Sequence, residues 1–325
     1  MSLLLLLAGL VLLLGGGTAL VSAASSLAAR HGVSPLIVGM TVVAFGTSAP
    51  ELVVNVIGAL RGSTDLAFGN VAGSNIANLG LVLGLAALIR PVSIQGQVVR
   101  RELPLLLLGT LMVLVMTLDR WLLDTPPQLT RSEGLVLLLL FTVFLYFTIG
   151  DLMNKQEDPL LGDLKEMEDS IPSEIIETEH RDWLWCLGGI VALGLGGHLT
   201  IVHGGNLAQS LGVPPVIIGL FVVAVGTSLP ELACSVIAAL RREADLCVGN
   251  VIGSNIFNFL AVLPISAVIR PLPIPGGGIL DLLVSLGFAA AIVPVFIFRN
   301  ARMGRVFGLL FLSAYLLYVA LRLLA

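Results

Sequence analysis

Gly46-Thr47-Ser48-Ala49-Pro50-Glu51 recurs 180 residues later as Gly226-Thr227-Ser228-Leu229-Pro230-Glu231. Each copy sets a carboxylate, two hydroxyls and a proline inside a stretch long and apolar enough to cross a bilayer. An ionisable side chain at that depth costs roughly 2.5–3.5 kcal/mol on insertion scales. Two of them in matching contexts point to a paired site. The similarity runs well beyond the motif. Gly16-Gly17 falls on Gly196-Gly197, Asp65-Leu66 on Asp245-Leu246, Gly69-Asn70-Val71 on Gly249-Asn250-Val251, and Arg90-Pro91 on Arg270-Pro271. Between residues 39 and 75, 23 of 37 positions match their partners without a gap, which chance does not produce.

Composition fixes the environment of this repeat. Of 325 residues, 57% are hydrophobic and 12% charged, against about 25% charged in an ordinary soluble domain. Apolar windows of about 20 residues recur along nearly the whole chain, as transmembrane helices require. An all-α polytopic membrane protein in lipid is expected. Ten spans are read, at 3–23, 34–60, 64–89, 102–119, 132–150, 183–205, 214–240, 244–269, 278–298 and 304–324. Leu3 to Leu14 resembles a signal-peptide core but lacks a basic leading segment, and the repeat already includes part of this region. Cys186, Cys234 and Cys247 lie in or beside apolar spans, so they read as packing residues with no disulfide framework.

Five spans per copy is an odd number, so the second copy must enter the membrane from the opposite side. The expected plan is therefore two inverted five-helix repeats, residues 1–150 and 183–325, joined by a loop at 151–182. That loop holds eleven Asp/Glu against three Lys/Arg, a net −8, whereas the remainder of the chain carries +4. It has no EF-hand spacing and reads as a solvated connector, with a short surface helix expected around Leu164 to Ile176. With both termini outside, twelve Lys/Arg fall in inward segments and five in outward ones, which places the loop in the cytoplasm. Inverted repeats of this kind build secondary transporters with sites near the midplane. Channels contain similar repeats, so architecture alone leaves the class open.

The chemistry lies on two pairs of spans. Pro50 lacks an N–H and crowds the carbonyl four residues back, so the helix is expected to weaken at Gly46 and free carbonyls between Ala44 and Thr47. Thr47, Glu51 and Asn55 stand i, i+4, i+8 and share a face, with Ser48 beside it. Thr227, Glu231 and Ser235 repeat the pattern, bordered by Ser228. In the following span of each copy, Asn70, Ser74, Asn78 and Asn250, Ser254, Asn258 form a second stripe. The Gly69/Gly73 and Gly249/Gly253 pairs allow close helix approach there. The bland alternatives are a proline kink with satisfied hydroxyls and interhelical hydrogen-bond glue. The duplicated buried glutamate does not fit the first. All these donors are hard oxygens, which suit Ca²⁺ and Na⁺. Two carboxylates neutralise one Ca²⁺ or two Na⁺, and the empty site would hold two buried charges, so exchange follows more naturally than uniport.

Other polar residues read more plainly. His198 and His203 are five residues apart, outside both motifs, and suit packing or the edge of a pore. Asp65 and Asp245 sit at helix starts, where an acid complements the helix dipole. No nucleophile–base pair or nucleotide motif is present, so an enzyme is not expected. Neither is a cofactor, a nucleic-acid partner or an obligate protein partner.

At Thr47-Ser48-Ala49-Pro50-Glu51 with Gly69 to Asn78, and at Thr227 to Glu231 with Gly249 to Asn258, the chain resembles the sodium/calcium exchanger family. The resemblance implies a core of the second, third, seventh and eighth spans holding four cation sites, across which the first and sixth spans slide. By motif position it makes Glu51 and Glu231 the main Ca²⁺ ligands, aided by backbone oxygens of Thr47 and Thr227. Ser48, Ser74, Ser228 and Ser254, with the carbonyls of Ala44 and Ala224, would serve Na⁺, and Asn78 and Asn258 would complete the centre. Some relatives carry an aspartate where this chain has Asn258, and its absence argues against K⁺ co-transport. The large cytoplasmic regulatory domains of animal exchangers are missing, as in a prokaryotic inner-membrane form. The expected function is Na⁺/Ca²⁺ antiport by alternating access with Ca²⁺ extruded. A cation/H⁺ antiporter using the same Glu pair is the alternative, and a Ca²⁺-permeable channel or sensor is the alternative from another class.

Overall fold

The computed structural model describes residues 2–62, 64–93, 98–119, 125–153, 175–212, 226–298 and 302–324. It is helical nearly throughout. Helix α1 is Ser2–His31 and α2 is Pro35–Arg61; α3 is Thr64–Ala77, prolonged through Asn78–Leu83 and Gly84–Ile89. Helices α4 (Leu103–Met116) and α5 (Arg131–Met153) follow. The second half gives α6 (Ile175–Ser210), α7 (Leu229–Leu240), and α8 (Ala244–Phe257, prolonged through Asn258–Val262 and Leu263–Ile269). It ends with α9 (Gly278–Phe298) and α10 (Arg305–Leu324).

Among the described residues, eight helices are long and apolar enough to cross a membrane. The expected spans at 102–119 and 214–240 are represented by the shorter α4 and α7, and residues 213–225 lie outside the described part. Helix α6 begins at Ile175, eight residues before the expected start, so the polar stretch that ends at Asp182 is partly helical. The remainder of the Leu164 to Ile176 expectation falls almost wholly outside the described residues.

Two elements show what centres the bundle. Across an 18-residue apolar stretch of each, 83% of residues are buried in α8 and 17% in α10. Leu309, Leu310, Leu316 and Leu317 of α10 point outward, as does Leu139 of α5, the pattern of helices that face lipid. Polar side chains are instead gathered on the inner helices. Asn70, Ser74, Asn78, Asn250, Ser254 and Asn258 are all buried.

The halves are related by a pseudo-two-fold, whose signature is reciprocity between residues 180 apart. The Asn75 amide nitrogen donates to the Asn255 carbonyl at 3.2 Å, and the Asn255 amide nitrogen donates to the Asn75 carbonyl at 3.3 Å. Exchange of contacts in this way is what a two-fold imposes on equivalent residues. Two short strand pairs tie each half to the other. Strand β1 (Val92–Ser93) pairs antiparallel with β4 (Arg302–Met303), and β2 (Gln128–Leu129) with β3 (Leu272–Pro273). The outer helices cross over likewise: α10 packs on the end of α3 through Gly308 and Gly84, and α5 on the end of α8 through Gly134 and Pro264.

Helices α1 and α6 run antiparallel beside this core. Gly9 lies against Gly196 and Thr200, and Gly16 against Gly189 and Ala192, so backbone meets backbone along the seam. At one end the Ser26 hydroxyl donates to Asp182 at 2.6 Å, and Arg30 pairs with the same carboxylate at 3.1 Å.

Candidate functional site

The expected site residues converge where α2, α3, α7 and α8 meet. Thr47, Glu51 and Asn55 are buried on one face of α2, while Val53, Val54 and Leu60 are exposed on the other. The expected break at Gly46 is corrected in position. Helical backbone runs through Ala44–Arg61 with Pro50 inside it, and the irregularity is a π-helical stretch at Gly39–Val43, further upstream. There α2 crosses α8: a Cβ on Gly39 would come within 2.7 Å of the Leu246 carbonyl. In the second copy, the turn does fall at the motif, over Gly226 to Ser228, and α7 starts at Leu229.

Contacts join one half of the motif to the other half of the chain. The Ser48 hydroxyl donates to Glu231 Oε1 at 2.8 Å. The single Thr47 hydroxyl proton has two acceptors in reach, Asn250 Oδ1 at 3.1 Å and the Ala44 carbonyl at 3.3 Å. Thr227 Oγ1 donates to Asn70 Oδ1 at 3.0 Å, which leaves the Ser74 hydroxyl, 3.1 Å away, to donate to Thr227. Asn70 and Asn250 thus hold the two threonine hydroxyls. Glu51 and Glu231 lie within electrostatic range of each other. Ala224 lies outside the described residues.

What the network leaves unpaired on the repeat's residues is mostly oxygen, with Asn55 Oδ1 as a further oxygen and Asn70 Nδ2 as a nitrogen. Among the described residues, Glu51 Oε1 and Oε2, Glu231 Oε2, Asn78 Oδ1, Asn258 Oδ1, Ser228 Oγ and Ser254 Oγ are buried without a hydrogen-bond partner. A buried unsatisfied polar group costs about 1–3 kcal/mol, more when charged. Seven such atoms are oxygens on residues singled out by the repeat, the donor type that a hard cation takes. The amide nitrogens of Asn78 and Asn258 are used elsewhere, on Asn255 and Asn75, so oxygen is what these side chains have free.

Two features escaped the sequence. Asn75 and Asn255 sit one position beyond Ser74 and Ser254, off the i, i+4 stripe, yet both are buried and hydrogen-bonded across the axis. Their duplication within Gly-Ser-Asn-Ile was the available signal. The π-helical stretches that start at Asn78 and Asn258 have no pattern of residues that announces them, although such wide turns gather at functional sites. His198 and His203 stand on α6, outside the network, with His198 exposed.

An inverted repeat of membrane helices with buried, unpaired oxygens on both copies of its motif has the architecture of a secondary transporter of cations. A family model described as "Sodium/calcium exchanger protein" matches residues 1–150 and 182–324, and the chain belongs to that family, one of cation/Ca²⁺ antiporters rather than enzymes. It is 34% identical over 329 residues to the inner membrane protein YrbG of Escherichia coli K12, covering 98% of this chain and 95% of that one. It is 30% identical over 296 residues to the sodium/calcium exchanger MaX1 of Methanosarcina acetivorans, covering 83% and 84%. Among solved structures it resembles the sodium-calcium exchanger NCX_Mj soaked with 10 mM Na⁺ and zero Ca²⁺, with a TM-score of 0.83 at 27% identity over 98% of both chains.

Proposed function

We propose that this protein exchanges Na⁺ for Ca²⁺ by alternating access and moves Ca²⁺ out of the cytoplasm. The observation that carries the reading is the set of seven buried, unpaired oxygens on Glu51, Glu231, Asn78, Asn258, Ser228 and Ser254. The names of MaX1 and NCX_Mj support Na⁺ as the counter-ion. In this reading Glu51 and Glu231 bind Ca²⁺ together with backbone oxygens of Thr47 and Thr227. Ser48, Ser74, Ser228 and Ser254, with the carbonyls of Ala44 and Ala224, accept Na⁺, and Asn78 and Asn258 close the centre. The two inverted repeats are residues 1–150 and 183–325, and α1 and α6 slide together across the core that both repeats build, with the 151–182 connector in the cytoplasm and both termini outside. YrbG supports placement in a bacterial inner membrane.

Exchange follows from the electrostatics. Without a cation, two carboxylates stand unneutralised in a dry interior, which costs several kcal/mol per ion even after relaxation. Either one Ca²⁺ or a pair of Na⁺ removes that cost, so reorientation is favoured when loaded and disfavoured when empty. In proteoliposomes, an outward Na⁺ gradient is expected to drive ⁴⁵Ca²⁺ uptake. Uptake driven only by a pH gradient would replace Na⁺ with H⁺, and flux that needs no counter-ion would make the protein a channel.

A further inference from the structure

We infer that Asn75 and Asn255 are positioning residues, which lock the side-chain amides of Asn78 and Asn258 with oxygen turned toward the cation. The inference rests on the reading of that centre as a cation site and adds how its amide ligands are aimed. An asparagine amide presents either C=O or NH₂, and only the first can ligate a cation. The structure fixes the choice by a chain of necessities. Asn75 Nδ2 lies 3.2 Å from the Asn255 carbonyl, and Asn255 Nδ2 lies 3.3 Å from the Asn75 carbonyl. A backbone carbonyl only accepts, so the amide atom facing it must be nitrogen in both residues. Oδ1 of each therefore points the other way, and there it meets a second amide. Asn255 Oδ1 accepts from Asn78 Nδ2 at 3.0 Å, and Asn75 Oδ1 accepts from Asn258 Nδ2 at 3.1 Å. Asn78 and Asn258 have their nitrogens held, and each Oδ1 is left buried and unpartnered among the described residues.

Two backbone carbonyls thus determine, through two intermediate amides, the orientation of two ligands. Each lock crosses the two-fold: Asn255 of α8 aims Asn78 of α3, and Asn75 of α3 aims Asn258 of α8. Partners of this kind behind a ligand typically affect metal affinity about 10–100-fold. The alternative is that the four asparagines merely glue α3 to α8.

The two are separated by a cycle of Ca²⁺ affinities, measured as equilibrium ⁴⁵Ca²⁺ binding to the purified full chain in Na⁺-free buffer. Asn255→Ala is expected to weaken Ca²⁺ binding about tenfold, and the Asn78→Ala/Asn255→Ala double variant to bind no worse than Asn78→Ala alone. In an Asn78→Asp background, where either side of the carboxylate presents oxygen and one side faces the acceptor Asn255 Oδ1, Asn255→Ala should no longer weaken binding. Asn75→Ala with Asn258→Ala is the mirror-image cycle. Additive losses, or an Asn255→Ala affinity equal to wild type, would overturn the inference. So would failure of both Asn255→Ala and Asn75→Ala to yield monodisperse protein, since the belt would then be a folding element. Glu51→Gln keeps the two readings apart. If it binds Ca²⁺ as wild type does, the cation site itself is wrong; if it loses binding and Asn255→Ala does not, only the aiming role is lost.

Discussion

Glu51 and Glu231 hold equivalent places in the repeat and unequal surroundings. Ser48 donates to Glu231 at 2.8 Å, whereas both oxygens of Glu51 and the mirror-related Ser228 hydroxyl lack a partner among the described residues. Spacing along the chain suggested Ser48 as a neighbour of Glu51; the fold assigns it to the other half. No i, i+3 or i, i+4 rule contains that information, because the partner is 183 residues away. Both glutamates are fully buried, and neutralising either removes half of the charge that a divalent ion needs. Glu51→Gln and Glu231→Gln are therefore each expected to abolish Na⁺-driven Ca²⁺ uptake while the protein stays monodisperse. Wild-type flux in either would remove that residue from the site. Ser48→Ala should be milder, weakening Ca²⁺ about tenfold by loss of one hydrogen bond to a carboxylate. Ser228→Ala, with no such bond to lose, should weaken Ca²⁺ less than Ser48→Ala, and binding titrations of the two variants compare them directly.

At the scale of elements, the stripes and the Gly249/Gly253 pair were legible and their partners were not, while at Gly69 and Gly73 no neighbour comes within 4 Å of a Cβ position among the described residues. Asn250, Ser254 and Asn258 turn inward as their spacing requires, and the Gly249/Gly253 pair does permit a close crossing. Sequence could not say what crosses there. It is the first turns of α2: Gly249 abuts the Leu36 carbonyl and the Gly39 Cα, and a Cβ on Gly253 would lie 2.7 Å from the Met40 carbonyl. The π-helical stretches at Gly39–Val43, Asn78–Leu83 and Asn258–Val262 were equally hidden, because a wide turn is imposed by packing and not by the propensity of its own residues. The crossing gives a stability test. Gly249→Ala forces a methyl group into backbone of α2, with no flexible side chain able to yield, and overpacking of that kind costs about 1–3 kcal/mol. The expected result is a lower thermal midpoint in detergent. An unchanged midpoint would mean that α2 and α8 stand further apart than described.

Over the whole molecule the contacts separate into two bodies. The inner helices are bound across the axis by the asparagine belt, by Thr47–Asn250 and Thr227–Asn70, and by the exchanged strands. Helices α1 and α6 are bound to each other by glycine-lined backbone contact and by the Ser26–Asp182–Arg30 cluster. Between these bodies the contacts are side chain on glycine: a Cβ on Gly46 would meet Ile190 within 2.6 Å, and one on Gly17 would lie 2.7 Å from the Ile237 methyl end. Gly197 faces Pro230 with a Cβ position 3.6 Å from the ring, Gly194 faces Pro50 at 3.8 Å, and Gly17 lies over Ala233 and Ile237. Apolar contact without a hydrogen bond in any of these pairs suits a surface that slides, and both prolines sit one residue before a site glutamate. Cross-linking separates motion within a body from motion between bodies. With Cys186, Cys234 and Cys247 replaced by serine, a Ser26→Cys/Asp182→Cys disulfide joins α1 to α6. It is expected to leave Ca²⁺ uptake within about twofold of the reduced protein, because these helices move as one. A thiol cross-linker between Gly17→Cys and Ala233→Cys instead fastens α1 to α7 and should stop uptake, while equilibrium ⁴⁵Ca²⁺ binding to the locked protein persists. If the first link also stopped transport, α1 and α6 would have to move separately, and the seam between them would be the moving surface in place of the one over Pro50 and Pro230.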